Sequence, residues 1–295
     1  MRKILSSLIF NLRRRLFGDP PPRVAVVRLY GVIAPGQRFR QSLSMASVAT
    51  ALDDAFSVPG LSAVALQINS PGGSPVQSAM ITKRIRDLAK EKDVPVLAFA
   101  EDVAASGGYM LALAGDEIYA NDSSIIGSIG VIASGFGFQK VIEKLGIDRR
   151  LYTAGERKAM LDAFSEEKEE DVERLKELQE EVHEHFKSLV RERRGKRLKG
   201  LRGRIFSGDV FTGTEAVKMG LVDGVGDMRS VLRDRFGKKV QMRLVGERKP
   251  RLGSMLRLGQ GSDAMTSAGI GRMEDLPQGL LSAIEERLFW NRFGL

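Results

Sequence analysis

Ser106 stands among the smallest side chains of the protein, between Ala104-Ala105 and Gly107-Gly108 in EDVAASGGYMLALAGDEIYA, residues 101–120. Two roles fit that setting: a tightly packed helix start, or a nucleophile with space cleared around it. A serine hydroxyl is a weak nucleophile and needs a base to take its proton. The chain has no cysteine, which excludes thiol nucleophiles, disulfides and cysteine metal sites. Its two histidines, His183 and His185, lie two apart on a charged stretch with helical periodicity. Residues so spaced do not share a helical face, so a metal pair is disfavoured and both read as exposed, solvated side chains. A Ser-His-Asp arrangement is weakened for the same reason. The base is then a lysine or a carboxylate.

A lysine accepts a proton only when neutral, yet at an ordinary pKa of about 10.4 it is charged at pH 7. Burial lowers that value, and a fall of about three units corresponds to roughly 4 kcal/mol. The lysine should therefore sit among apolar or small residues. Lys158 in LYTAGERKAMLDAF, residues 151–164, fits better than the lysines of the charged runs. It follows a turn at Gly155 and precedes Ala159, Met160, Leu161, Ala163 and Phe164. The plainer alternative is an exposed lysine at a helix start.

Other chemistries find less support. SPGGS, residues 70–74, is glycine-rich but lacks the lysine and spacing of a phosphate-binding loop, and no Gly-x-Gly-x-x-Gly opens a helix after the first strand. Net charge is +9, with one basic cluster at Arg2, Lys3 and Arg13–Arg15 and another from Arg191 to Arg204. A basic chain can bind nucleic acid, anionic lipid or acidic protein. The second cluster contains no aromatic residue to stack on bases, so nucleic acid is disfavoured.

These residues need elements to hold them. Arg23–Ile33, Leu61–Ser70, Val94–Glu101 and Glu117–Asn121 read as strands, and Ile125–Ala133 is a further apolar run. Met45–Ser57 reads as a helix. Ser74 and Pro75 read as N-cap and first residue of another, and Ala104–Ala114 as a third. Strands alternating with helices predict a mostly parallel α/β sheet with helical crossovers. Sites in such sheets lie at the carboxyl ends of the strands. Pro71-Gly72-Gly73 and Ala105-Ser106-Gly107-Gly108 both fall there. Residues 165–199 predict a long helix with an acidic front and a basic rear, and 208–228 a turn, a short helix and a strand.

Residues 1–22 form a basic amphipathic segment closed by Pro20–Pro22. Met1, Ile4, Leu5, Leu8, Ile9, Leu12 and Leu16 share one helical face, which suits a helix lying on an anionic membrane surface through residues 1–19. The alternative is a helix docked on protein. No cleavable signal is legible, and no stretch reaches the length of about 20 apolar residues that a membrane span needs. The main domain is 23–245. Residues 246–295 read as a loose tail ending in an amphipathic helix that carries Leu280, Leu281, Ile284 and Leu288.

Five stretches together resemble the signal peptide peptidase A/SohB family of serine peptidases: INSPGGS (68–74), AASGGY (104–109), IIGSIGVI (125–132), AGERKAM (154–160) and FTGTEAVKMGLVD (211–223). They keep that family's order and rough spacing over about 65–225. The resemblance implies a crotonase-like, Clp protease-type fold and a Ser-Lys dyad, with Ser106 as nucleophile and Lys158 as general base. It implies Ser128 as a hydroxyl orienting the lysine, and an oxyanion hole from Gly107 N–H with Gly73 or Gly72, Gly73 being preferred. It further implies short apolar peptides as substrates, no metal or nucleotide cofactor, and a ring-like homo-oligomer in which two copies could complete the dyad. Many members of that family carry a clear transmembrane anchor or signal, which is not legible in this sequence, so the expected place is peripheral, at the bacterial inner membrane through residues 1–19. Arg157 and Ala159 stand where that family commonly has an aromatic and an acidic residue beside the lysine. Two rivals keep the fold: a membrane-surface scaffold with a degenerate site, and an acyl-CoA enzyme needing a carboxylate near the N–H donors, for which Glu101 and Asp102 are the candidates.

Overall fold

A computed structural model describes residues 20–35, 42–200, 202–246 and 287–294. The elements run β1 (Arg23–Tyr30), α1 (Met45–Ala55), β2 (Leu61–Ser70), α2 (Pro75–Lys92), β3 (Val96–Ala105), α3 (Gly107–Ala112), β4 (Glu117–Ala120), β5 (Ile125–Gly127), α4 (Gln139–Lys144), α5 (Glu169–Arg194), α6 (Arg202–Ile205), β6 (Val210–Thr212), α7 (Gly213–Met219), β7 (Gly224–Val225), α8 (Met228–Phe236) and β8 (Gln241–Leu244). The strands form one sheet in the order β6-β5-β3-β2-β1-β8, with β4 pairing both β3 and β7. Every pairing is parallel except β5 with β6. This is the mostly parallel α/β architecture expected from the alternation of strands and helices.

Parallel central strands are covered on both faces, so β1 to β3 read as nearly continuous apolar runs. One face, bearing Val64, Leu66, Ile68, Ala98 and Ala100, packs on α1, α2 and α3. The other, bearing Ala63, Ala65, Leu97 and Phe99, packs on Leu232 of α8. Helix starts follow local chemistry. Ser44 and Ser47 form a reciprocal capping box at α1, and Ser74 accepts from Gln77 N at α2 with Pro75 in the first turn.

The structure adjusts several boundaries. The apolar run after Ser124 is a strand only to Gly127, because Ser128 takes φ 50° and leaves extended geometry. The long helix spans Glu169–Arg194. Helix α8 and strand β8, which runs parallel to β1, have no counterpart among the elements expected from sequence. Residues 1–19 and most of the tail lie outside the described residues. Within the tail, 287–291 is helical with Leu288 exposed. No helix among the described residues is long and apolar enough to cross a membrane.

The second basic cluster serves the fold. Arg193 donates to Leu113 O and Gly115 O, Arg197 to Asp116 O and Arg193 O, and Arg204 pairs with Glu215. Arg194, only 2% exposed, pairs bidentately with Asp223 at 2.7 and 3.0 Å. Burial alone would raise the Asp223 pKa, but Arg194, the Ile118 N–H and Arg197 hold it below the usual carboxylate value. A carboxyl so depressed stabilises the fold above its unfolded pKa, and the contribution fades as pH falls through the folded value. Asp223→Ala strands a buried guanidinium. It should lower the unfolding free energy by about 3–5 kcal/mol at pH 7. In urea titrations the gap to wild type should narrow as pH drops below about 4.

Candidate active site

Strands β2 and β3 are parallel neighbours, so both glycine loops emerge at the same end of the sheet. Their register runs Ile68↔Ala100, then Ser70↔Ala104, which places extra residues in β3 at that point. Asn69 bridges the irregularity. Its Nδ2 donates to Asp102 at 2.6 Å, and its Oδ1 accepts from Val103 N at 3.2 Å.

Ser106 alone separates β3 from α3. Its φ of 53° and ψ of −122° are uncommon for a residue with a side chain, and such strain collects at functional turns. A sharp strand-to-helix turn presents a serine hydroxyl outward, the geometry of a nucleophile elbow. Ser106 N donates to Gly127 O at 2.8 Å, and Met110 N to Ser106 O at 3.0 Å. The turn is therefore pinned on both sides while the side chain stays partly exposed.

The glycines permit close approach. A Cβ on Gly72, where φ is +102°, would lie 2.8 Å from both Ser106 Cβ and Gly107 N. One on Gly73 would lie 2.0 Å from Ile33 O, and one on Gly107 2.5 Å from Ser78 Oγ. Ser70 orders the first loop: its hydroxyl accepts from Gly72 N at 3.2 Å and donates to Gly31 O at 2.7 Å. Gly72 N–H is thus engaged internally. Gly73 differs. Ile33 N donates to Gly72 O and Ser74 N to Ile33 O, a parallel bridge that turns the N–H of Gly73 itself away from Ile33. Gly107 opens α3, and a first-turn N–H has no acceptor within its own helix. Gly72→Ala should therefore displace the serine turn and cut any Ser106-dependent rate by about 100-fold. A matched thermal-unfolding measurement should show a loss of comparable size, about 1–3 kcal/mol, from the positive φ and the close backbone contacts.

Ala105 pairs with Gly127 across β3 and β5, so Ser106 and Ser128 are the next residues on adjacent strands. Ser128 is 6% exposed, and its N–H donates to Asp209 O at 2.7 Å. Lys158 is placed differently. It lies exposed in a turn at 156–161, on a segment from 132 to 158 in which nearly every residue is exposed. Among the described residues no hydrogen bond joins it to Ser106 or Ser128. Among the described residues, a single chain brings Ser106, Gly72, Gly73, Gly107 and Ser128 together and leaves Lys158 exposed, without the apolar burial expected of a base.

Glu101 and Asp102 have other partners. Gln67 Nε2 donates to Glu101 at 2.5 Å, on the sheet face of Phe99, opposite α2 and α3. Burial, then a hydrogen bond to Glu101, push the Tyr30 phenol up. His183 corrects the expectation of two solvated histidines: it is half-buried on α5, with Nε2 3.0 Å from Ile129 O, while His185 is exposed. Sequence reasoning misses both Ser70 and His183. Ser70 has a legible signal, as a serine closing an apolar strand directly before Pro-Gly-Gly.

Comparison with known proteins gives a family match. The model of peptidase family S49 matches residues 88–241. A Brucella abortus protein named Na(+)/H(+) antiporter NhaA is 49% identical over 293 residues, 99% of this chain and 39% of that protein. The chain therefore spans well under half of that relative's length. The chloroplastic serine protease SPPA of Arabidopsis thaliana is 32% identical over 167 residues, 56% of this chain and 24% of the relative. A solved membrane-bound stomatin-specific protease in complex with a substrate peptide aligns at TM-score 0.48 and 16% identity, over 81% of this chain and 97% of its own.

Proposed function

This chain belongs to peptidase family S49, and from that premise we propose that it is a serine endopeptidase using Ser106 as nucleophile and Lys158 as general base. The observation that carries the reading is the strained Ser106 turn held against Gly72, with the Gly73 N–H turned away from Ile33 and the Gly107 N–H in the first turn of α3. The Lys158 amine takes the Ser106 proton as Oγ attacks the scissile carbonyl carbon. The Gly73 and Gly107 N–H groups bind the oxyanion. The intermediate collapses, Lys158 protonates the departing amine, and an acyl ester remains on Ser106. Water, deprotonated by Lys158, attacks the ester, releases the acid and restores the serine. Ser128 orients the lysine.

Short apolar peptides are the proposed substrates, remnant signal peptides or membrane-protein fragments among them. A groove of about 550 Å³ begins at Pro75 and Val76, just past the glycine loop, with Ala79, Met110, Phe186 and Leu189 along its walls. The rival acyl-CoA reading loses its carboxylates, since Glu101 and Asp102 are held by Gln67 and Asn69. The name of the Brucella relative belongs to a much longer protein. An antiporter needs spanning helices, and none is found among the residues described here.

Homo-oligomerisation belongs to the same proposal. The segment bearing Lys158 exposes Phe136 (77%), Tyr152 (90%), Ile132, Leu145 and Ile147. Apolar surface on that scale marks a contact. A second copy covering it would remove Lys158 from water beside that copy's Ser106. Residues 1–19 are proposed to hold the assembly peripherally at the bacterial inner membrane. Hydrolysis of fluorogenic apolar peptides by the purified protein tests the function. Steady turnover supports it, whereas silence across a broad peptide panel would favour the scaffold reading.

A further inference from the structure

We propose that His183 is a positioning residue for the reaction, holding the Ser128 wall of the site through the Ile129 carbonyl. This rests on the peptidase reading above. Segment 127–130 carries two consecutive residues at positive φ, Gly127 at 107° and Ser128 at 50°. The left-handed region is costly for a side-chain-bearing residue, so such a conformation persists only where its surroundings over-determine it. Three contacts do so. Gly127 O accepts from Ser106 N at 2.8 Å, Ser128 N donates to Asp209 O at 2.7 Å, and Ile129 O lies 3.0 Å from His183 Nε2. The first two come from loop and strand backbone. The third is a side chain from α5, 54 residues away in sequence.

A carbonyl oxygen only accepts, so Nε2 is the protonated ring nitrogen. His183 is fixed where it stands, because Phe186, Val190 and Arg194 further along α5 are buried against the core. The Ile129 side chain is itself fully buried. The peptide after Ser128 is thereby clamped from both ends, and the Ser128 hydroxyl is kept in one place. Without the histidine, Ser128 can relax from positive φ and carry its hydroxyl away from the amine it orients. Binding of a peptide along the groove does not pass through this contact, so the loss falls on turnover.

The test measures kcat and KM on an apolar fluorogenic peptide for wild type, Ser106→Ala, His183→Ala, His183→Gln, His183→Asn, Ser128→Ala and the His183→Ala/Ser128→Ala double variant. His183→Ala should lower kcat by about 10- to 100-fold, with KM changed less than about twofold. Glutamine, whose amide nitrogen reaches as far as Nε2, should restore most of the loss, and the shorter asparagine should not. In the Ser128→Ala background, removing His183 should change kcat by less than about twofold, because residues acting through one another are not additive. Should His183→Ala fail to fold, the glutamine–asparagine contrast decides the same question. Full kcat without the histidine, equal loss in Gln and Asn, or an undiminished loss in the Ser128→Ala background would each overturn the role. If Ser106→Ala matches wild type, or wild type is inactive, the peptidase reading falls and this inference with it. If Ser106→Ala is dead and His183→Ala fully active, only the inference falls.

Discussion

Ser106→Ala is expected to leave a folded protein that hydrolyses apolar peptides at least about 1,000-fold more slowly than wild type. The substitution removes the only atom that can form the acyl ester and disturbs little else. Ser106 makes its structural contacts through backbone N and O, to Gly127 and Met110, and alanine keeps both. Alanine at φ 53° bears the same positive-φ strain as serine, so the unfolding midpoint should shift little. Residual hydrolysis comes from substrate binding and the two N–H donors, which act without the nucleophile. Steady-state kinetics beside a thermal melt separate the two effects. Equal activity in the variant would end the assignment of Ser106.

Lys158→Ala should cost a similar factor, again about 1,000-fold or more, with no loss of stability. The side chain is exposed in one copy, and exposed substitutions away from packed features change stability by less than about 0.5 kcal/mol. A catalytic loss without a structural one would mark the residue as chemical. The geometry adds a sharper form of the same experiment. Ser106 sits on the sheet, and Lys158 on a protruding apolar segment. If one copy's lysine serves another's serine, mixing inactive Ser106→Ala with inactive Lys158→Ala protein should regain part of the wild-type rate, since some pairings carry an intact serine and an intact lysine. If each chain completes its own dyad, the mixture stays inactive after subunit exchange.

Much of the scaffold is legible in the sequence because it rests on local rules. Alternating apolar strands and amphipathic helices announce the parallel sheet, and Ser74-Pro75 announces a helix start. Pro71-Gly72-Gly73 and Ser106-Gly107-Gly108 can be placed at one sheet end because β2 and β3 are consecutive, parallel strands. What escapes depends on long-range placement. Ser128 reads as part of an apolar run, and only the tertiary bond from its N–H to Asp209 O shows where that run turns. His183 looks solvated when its helix is read alone, because Ile129 reaches it only through the tertiary fold. The arginines after Arg191 resemble a binding patch in sequence, whereas Arg193, Arg194 and Arg197 face carbonyls and Asp223. Lys158 stands out for its small apolar neighbours along the chain. Among the described residues those neighbours do not bury it, since nearly all of 132–158 is exposed.

The most direct test of the central claim is covalent. Wild-type protein is incubated with a fluorophosphonate, which phosphonylates activated serine hydroxyls with loss of fluoride, then digested and mapped by mass spectrometry. A single adduct on Ser106, absent from Ser106→Ala and much slower to form in Lys158→Ala, is the predicted result. An adduct on another serine, or equal labelling of Ser106→Ala, would contradict the account.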